Sequence, residues 1–216
     1  MKVKICGLSR PSDIAAVNQY RPDYAGFIIN FPKSHRSCTP EQVQALHAQL
    51  SPDIPAVGVT VNQPLDTVAS LLEQGIIDIA QLHGQEDDAY IQALQARTGN
   101  PVWKAFRIRS AADLQAARDS SADMILLDNG YGTGETFDWT LVRDIGRPFI
   151  LAGGLREENI QDAAAMQPDA MDISSGAETN RVKDPEKIRA LINIIRSITC
   201  QKEDSAFTAD NTSPKL

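Results

Sequence analysis

Cys6 closes a short apolar run, Val3–Cys6, with Gly7 beside it. A thiol at such an end is either a small buried hydrophobe or, as thiolate, a base or nucleophile. Asp128 closes another run, Met124–Leu127, and is followed by the long glycine-bearing stretch Asn129–Gly134 rather than by a helix. That context favours proton transfer over the capping and turn roles common for Asp. Arg36 lies in the segment Phe31–Ser37 beside Ser34; it is either solvated or a clamp for a carboxylate. Its neighbours Lys33 and His35 read as surface residues. Gln81 and His83, at the end of Ile77–Leu82, read equally well as groups satisfied by nearby backbone and as substrate contacts. Lys104, inside Val102–Phe106, either points to a polar opening or snorkels to water. Two further runs end in small residues, Gly153-Gly154 and Ser174-Ser175-Gly176, where backbone N–H groups can approach an anion.

Positioning these groups requires strands that all end at one face. The apolar, β-branched runs are Val3–Cys6, Tyr24–Ile29, Ala56–Val61, Ile77–Leu82, Val102–Phe106, Met124–Leu127, Phe149–Ala152 and Ala170–Ile173. Amphipathic stretches alternate with them, among them Arg10–Gln19, Thr39–Leu50, Leu65–Gln74, Asp87–Arg97, Ala111–Arg118 and Pro185–Ile198. Thr39-Pro40 and Asp184-Pro185 each place a capping residue before a first-turn proline, and Asp138 is a candidate cap before Trp139, itself read as packing. A doubly wound open sheet shares the alternation, but eight strands alternating with helices favour a single-domain (β/α)₈ TIM barrel over residues 1–199, with chemistry at the C-terminal strand ends. Residues 200–216 are polar and aperiodic and read as a disordered tail.

Composition narrows the function classes. The chain has 216 residues, 42% of them hydrophobic, enough for a substantial core. A net charge of −7 argues against nucleic acid and anionic membrane as partners, yet leaves room for a small phosphorylated substrate. The N-terminus turns polar too early for a signal peptide. Three cysteines, Cys6, Cys38 and Cys200, suit a reducing cytoplasmic setting. With no CxxC or HExxH pattern and His35, His47 and His83 scattered, neither a metal nor a cofactor is expected.

KICGL at 4–8, FPKSHR at 31–36, VGVTVN at 57–62, QLHG at 81–84, KA at 104–105 and LLDN at 126–129 occur in this order. GTGETFDW at 132–139, LAGGL at 151–155 and DISSGAE at 172–178 follow. In these motifs the chain resembles the phosphoribosylanthranilate isomerases of tryptophan biosynthesis, from about Lys2 to Ile198. The resemblance implies an Amadori rearrangement of N-(5-phosphoribosyl)anthranilate to 1-(2-carboxyphenylamino)-1-deoxyribulose 5-phosphate. It implies Asp128 as general acid and Cys6 as general base, although a free thiol (pKa roughly 8.5) and a free Asp (roughly 3.9) prefer the reverse protonation. Arg36 would hold the anthranilate carboxylate, Gln81 and His83 would contact substrate, and Gly153, Gly154, Ser174, Ser175 and Gly176 would hold the phosphate. The implied enzyme is a monomer or homodimer. His35 stands where the family often has Pro, and the loop around Tyr131 also departs from the common pattern. Rival readings are another phosphate-binding barrel enzyme, of epimerase or synthase type, and a catalytically silent phosphosugar-binding barrel.

Overall fold

The computed structural model of this chain describes residues 1–128, 139–143 and 145–210, with 200–210 as backbone only. Eight strands form its frame: β1 (Lys2–Cys6), β2 (Tyr24–Ile29), β3 (Ala56–Thr60), β4 (Ile79–Leu82), β5 (Val102–Arg107), β6 (Met124–Asp128), β7 (Phe149–Leu151) and β8 (Ala170–Ile173). All pair in parallel with their sequence neighbours. β1 pairs with both β2 (Cys6 opposite Gly26) and β8 (Lys4 opposite Asp172), which closes the ring. Helices α1 (Pro11–Tyr20), α2 (Pro40–His47), α3 (Leu65–Glu73), α4 (Asp88–Thr98), α5 (Ala111–Asp119), α6 (Ile160–Ala164) and α7 (Pro185–Asp210) lie between and after the strands. The expected (β/α)₈ TIM barrel is the observed fold.

Strand alternation divides the apolar residues into two cores. Val3, Ile5, Phe27, Leu82, Ile125 and Met171 face outward and pack under the helices. Val57, Ile79, Trp103, Leu126, Ile150 and Ala170 fill the interior of the ring. Toward the C-terminal ends the inward positions turn polar: Cys6, Gln81, Asp128 and Asp172 follow on the same faces of their strands. A wide hollow of about 550 Å³ opens at the other end, lined by Lys2, Tyr24, Trp103 and Met124. None of the expected site residues reaches it.

The N-terminal rim carries a fourfold device. Asp23, Asp78, Asp123 and Asp169 each immediately precede an even-numbered strand. Each carboxylate accepts from a backbone N–H in the first two residues of the preceding odd strand: Val3 at 2.8 Å, Ala56 at 2.7 Å, Val102 at 2.8 Å and Phe149 at 3.0 Å. Each Asp backbone N–H donates back to a carbonyl of the same residue pair at 2.8–2.9 Å.

Helix entries follow the sequence signals. Thr39 and Gln42 form a reciprocal capping box before α2, and Asp184 accepts from the N–H of Glu186 at 3.0 Å at the start of α7. Two expectations need revision. Between β6 and β7 the described residues form only a 3₁₀ turn, Trp139–Val142, in place of an α-helix. The segment read as a disordered tail is helical backbone up to Asp210, because α7 does not stop at Ile198. The sequence there carries no apolar periodicity, and a helix needs none to propagate from a packed one. The loop 129–138, with the expectations for Tyr131 and Asp138, lies outside the described residues, as does 211–216.

Candidate active site

Cys6 is the last residue of β1 and 6% exposed. Gly7 follows with φ +80°, and a Cβ there would lie 2.4 Å from Arg36 Cδ and 3.3 Å from Ser174 Oγ. The Arg36 stem therefore crosses the rim directly above β1, which only a glycine permits. The guanidinium is already engaged: Nε and Nη2 donate to Glu178 Oε1 and Oε2 at 2.6 and 2.8 Å, a bidentate pair. Glu178 also accepts from the buried Lys183 at 2.7 Å, and His35 Nε2 stands 3.8 Å away. Burial alone would raise the Glu178 carboxyl, but Arg36 and Lys183 outweigh it and pull it down to about 2. The bidentate edge expected to meet a substrate carboxylate is thus held by the protein's own. Among the described residues Nη1 of Arg36 carries no side-chain bond, so a second carboxylate has that side to approach.

Asp128 ends β6, 6% exposed, three strands from β1 around the ring. His83 Nε2 stands 3.5 Å from its Oδ2, and Gln81 Nε2 lies 3.5 Å from His83 Nδ1. Gln81, His83 and Asp128 are therefore brought into one polar chain along the rim. Gln81 Oε1, buried, finds no partner among the described residues. Arg107 occupies the register position beside Asp128 on β5.

Below the rim, Lys4 Nζ bonds Asp172 Oδ1 at 2.9 Å with Lys4 wholly buried. Burial pushes the Cys6 thiol up and Asp172 adds to this, while Lys4 and Lys183 pull it back. Lys4 keeps its proton: burial opposes the charge, but Asp172 and Cys6 outweigh burial. Lys4, Asp172, Glu178 and Lys183 were missed as site residues. The available signal was parity: Lys4 is two residues from Cys6, and Asp172 two from Ser174, on single strands.

The loops after β7 and β8 touch through backbone. A Cβ on Gly176 would sit 1.9 Å from Leu155 O, and Gly153 and Gly154 adopt φ +89° and +65°. Small residues here are required by that approach. Ser174 Oγ is buried and unpartnered among the described residues. Lys104 turned out otherwise than expected. Alternation sends it away from the interior, where it bonds Gly84 O at 2.7 Å and the buried Glu86 at 2.9 Å.

A closed parallel barrel with a thiol, a carboxylate and a guanidinium at its C-terminal rim is the layout of a (β/α)₈ enzyme whose rim can bind an anion and exchange protons with it. The profile of the N-(5'-phosphoribosyl)anthranilate (PRA) isomerase family matches residues 3–194, and the chain belongs to that family. The isomerase of Clostridium kluyveri is 42% identical over 202 residues, 92% of this chain and 99% of that protein. The crystal structure of the Thermus thermophilus enzyme superposes with a TM-score of 0.83 at 35% identity, covering 92% of this chain and all of that one. A phosphoribosylanthranilate isomerase in complex with reduced 1-(o-carboxyphenylamino)-1-deoxyribulose 5-phosphate gives a TM-score of 0.81 at 31% identity, covering 91% and 99%. Among the described residues no helix is long and apolar enough to cross a membrane.

Proposed function

We propose that this chain isomerises N-(5-phosphoribosyl)anthranilate with Asp128 as acid and Cys6 as base. The Asp128 carboxylic acid protonates the furanose ring oxygen as the C1–O bond breaks, and the anthranilate nitrogen supplies the electron pair for a C=N bond. The Cys6 thiolate then takes the proton from C2. The electrons of that C–H bond form C1=C2 and return the other pair to nitrogen, and the resulting enolamine tautomerises to the ketone. Arg36 receives the anthranilate carboxylate, Gln81 and His83 line the path to Asp128, and Gly153, Gly154, Ser174, Ser175 and Gly176 receive the phosphate.

The observation that supports this reading is the passage of the Arg36 stem over Gly7, which brings a carboxylate-binding side chain to the rim at the end of the strand that Cys6 closes. All these groups come from one chain, so a monomer or a homodimer holds a complete site. Residues 1–199 supply it, the ligand is one small phosphorylated molecule, and the reducing cytoplasm keeps its thiols free.

The test is turnover of Cys6→Ser and Asp128→Asn, followed by anthranilate fluorescence with substrate made in place from anthranilate and phosphoribosyl pyrophosphate. Each variant should keep its circular dichroism and product-analogue binding and lose about 10²–10⁴-fold in kcat. A folded, binding variant with near wild-type kcat would refute the role of that residue.

A further inference from the structure

We infer that Lys4 is a positioning residue that governs how readily the Cys6 thiol gives up its proton, and that Gly26 keeps open the space in which the two groups meet. The inference deepens the proposed role of Cys6 as base and rests on it.

Lys4 and Cys6 are two residues apart on β1, so both side chains enter the ring. Gly26 on β2 is the register neighbour of Cys6, and a Cβ built on it would lie 3.0 Å from both Cys6 Sγ and Lys4 Nζ. The sulfur and the ammonium therefore share one hollow. An ammonium has three hydrogens to donate, and Asp172 Oδ1 is the oxygen that Lys4 reaches, at 2.9 Å. Cys6 Sγ faces the ammonium across the space a Gly26 Cβ would fill, and a thiolate attracts a hydrogen of Nζ better than a thiol does. The charged groups bearing on the sulfur come from three elements: Lys4 on β1, Asp172 on β8, and Lys183 in the short strand Val182–Lys183. Lys183 is already held by Glu178 at 2.7 Å and by Ser174 O at 2.9 Å. Both lysines favour the thiolate against Asp172 and burial, and Lys4, two residues from the sulfur on the same strand, is the stronger of the two.

The productive form has a proton on Asp128 and none on Cys6. The form with a thiol and a carboxylate holds the same number of protons, so no choice of pH selects between them. Only the surroundings of each group do, and Lys4 weights the balance toward the productive side.

The experiment uses the full chain with Lys4→Met, Asp172→Asn and Gly26→Ala. The rate of iodoacetamide alkylation at Cys6 is followed against pH by peptide mass spectrometry, which separates Cys6 from Cys38 and Cys200. The midpoint should rise by about 1–2 pH units in Lys4→Met and fall in Asp172→Asn, as expected for a cation and an anion close to the sulfur. Gly26→Ala, which wedges a methyl between Sγ and Nζ, should also raise it. In Lys4→Met the thiolate share of the singly protonated pair drops about 10–100-fold for that rise. kcat should fall by as much with KM nearly unchanged, and the alkaline fall in rate should move to higher pH, since the thiol holds its proton longer. A Lys4→Met midpoint equal to wild type, or a shift of the same sign in Lys4→Met and Asp172→Asn, overturns the inference. Should Lys4→Met fail to fold, Gly26→Ala and Asp172→Asn decide it by the same opposite signs. If the midpoints move as stated while Cys6→Ser still turns over, the coupling stands and the base assignment falls.

Discussion

Arg36 meets the carboxylate of Glu178 and, in the proposed reading, a second one brought by the substrate. With Glu178 held near 2, the internal pair stays ionised at every pH where the enzyme is folded for work, so the guanidinium does not swing. Its Nη1 side then presents a pre-aimed charge, and little side-chain freedom is lost when the ligand arrives. Arg36→Ala should weaken binding of the product analogue by about 2–4 kcal/mol. A matched analogue lacking the ring carboxylate should bind wild type and variant alike in a fluorescence titration; equal losses for both would remove the carboxylate role. Cys6 and Asp128 stood out in the sequence because an end-of-run position marks the rim, and Arg36 because its loop follows such a run. Glu178 was not, because its partner lies 142 residues away and an acid after DISSGA reads as ordinary surface.

At the scale of elements, Glu86 ties the loops after β3 and β4 to strand β5. Its oxygens accept from Asn62 N at 2.7 Å, Gly84 N at 2.8 Å and Lys104 Nζ at 2.9 Å. The pair with Lys104 is buried, so removing one partner strands the other charge. Glu86→Ala should lower stability by about 3–5 kcal/mol in urea unfolding, and Glu86→Leu combined with Lys104→Met should recover most of it. An intact midpoint in Glu86→Ala would show that water reaches the site and replaces the carboxylate. Burial would raise this carboxyl, but Lys104 and the backbone N–H groups hold it below its ordinary 4.5. Its contribution is therefore complete above that pH and drains away as pH falls through the lowered value. The strands themselves were readable as β-branched runs. The direction of Lys104 was not, since one lysine inside V-W-K-A fits either face until the register of β5 is known.

For the whole molecule, the closed ring was legible from the count of eight units, whereas the reaction came only from the family resemblance of the motifs at the strand ends. What escaped notice was the recurrence of Asp before every second run, in PDY, IDI, ADM and PDA at 22–24, 77–79, 122–124 and 168–170. Each is a local polar residue beside an apolar run, and its meaning lies in a partner one helix back. The four clamps group the strands in pairs: Asp23 binds β1 to β2, Asp78 binds β3 to β4, Asp123 binds β5 to β6, and Asp169 binds β7 to β8.

The barrel is accordingly divisible. A chain cut after Gly99 yields two halves, each keeping both of its aspartate clamps, whereas a cut after Gly75 parts Ala56 from Asp78. Co-expressed as 1–99 and 100–216, the halves should co-elute and restore anthranilate-fluorescence turnover, and the pieces cut at Gly75 should do so less well. Equal recovery from both cuts would mean that the clamps contribute nothing to assembly. Unequal recovery would mark the paired strand, rather than the single βα unit, as the smallest piece of this protein that carries its own instructions for joining the rest.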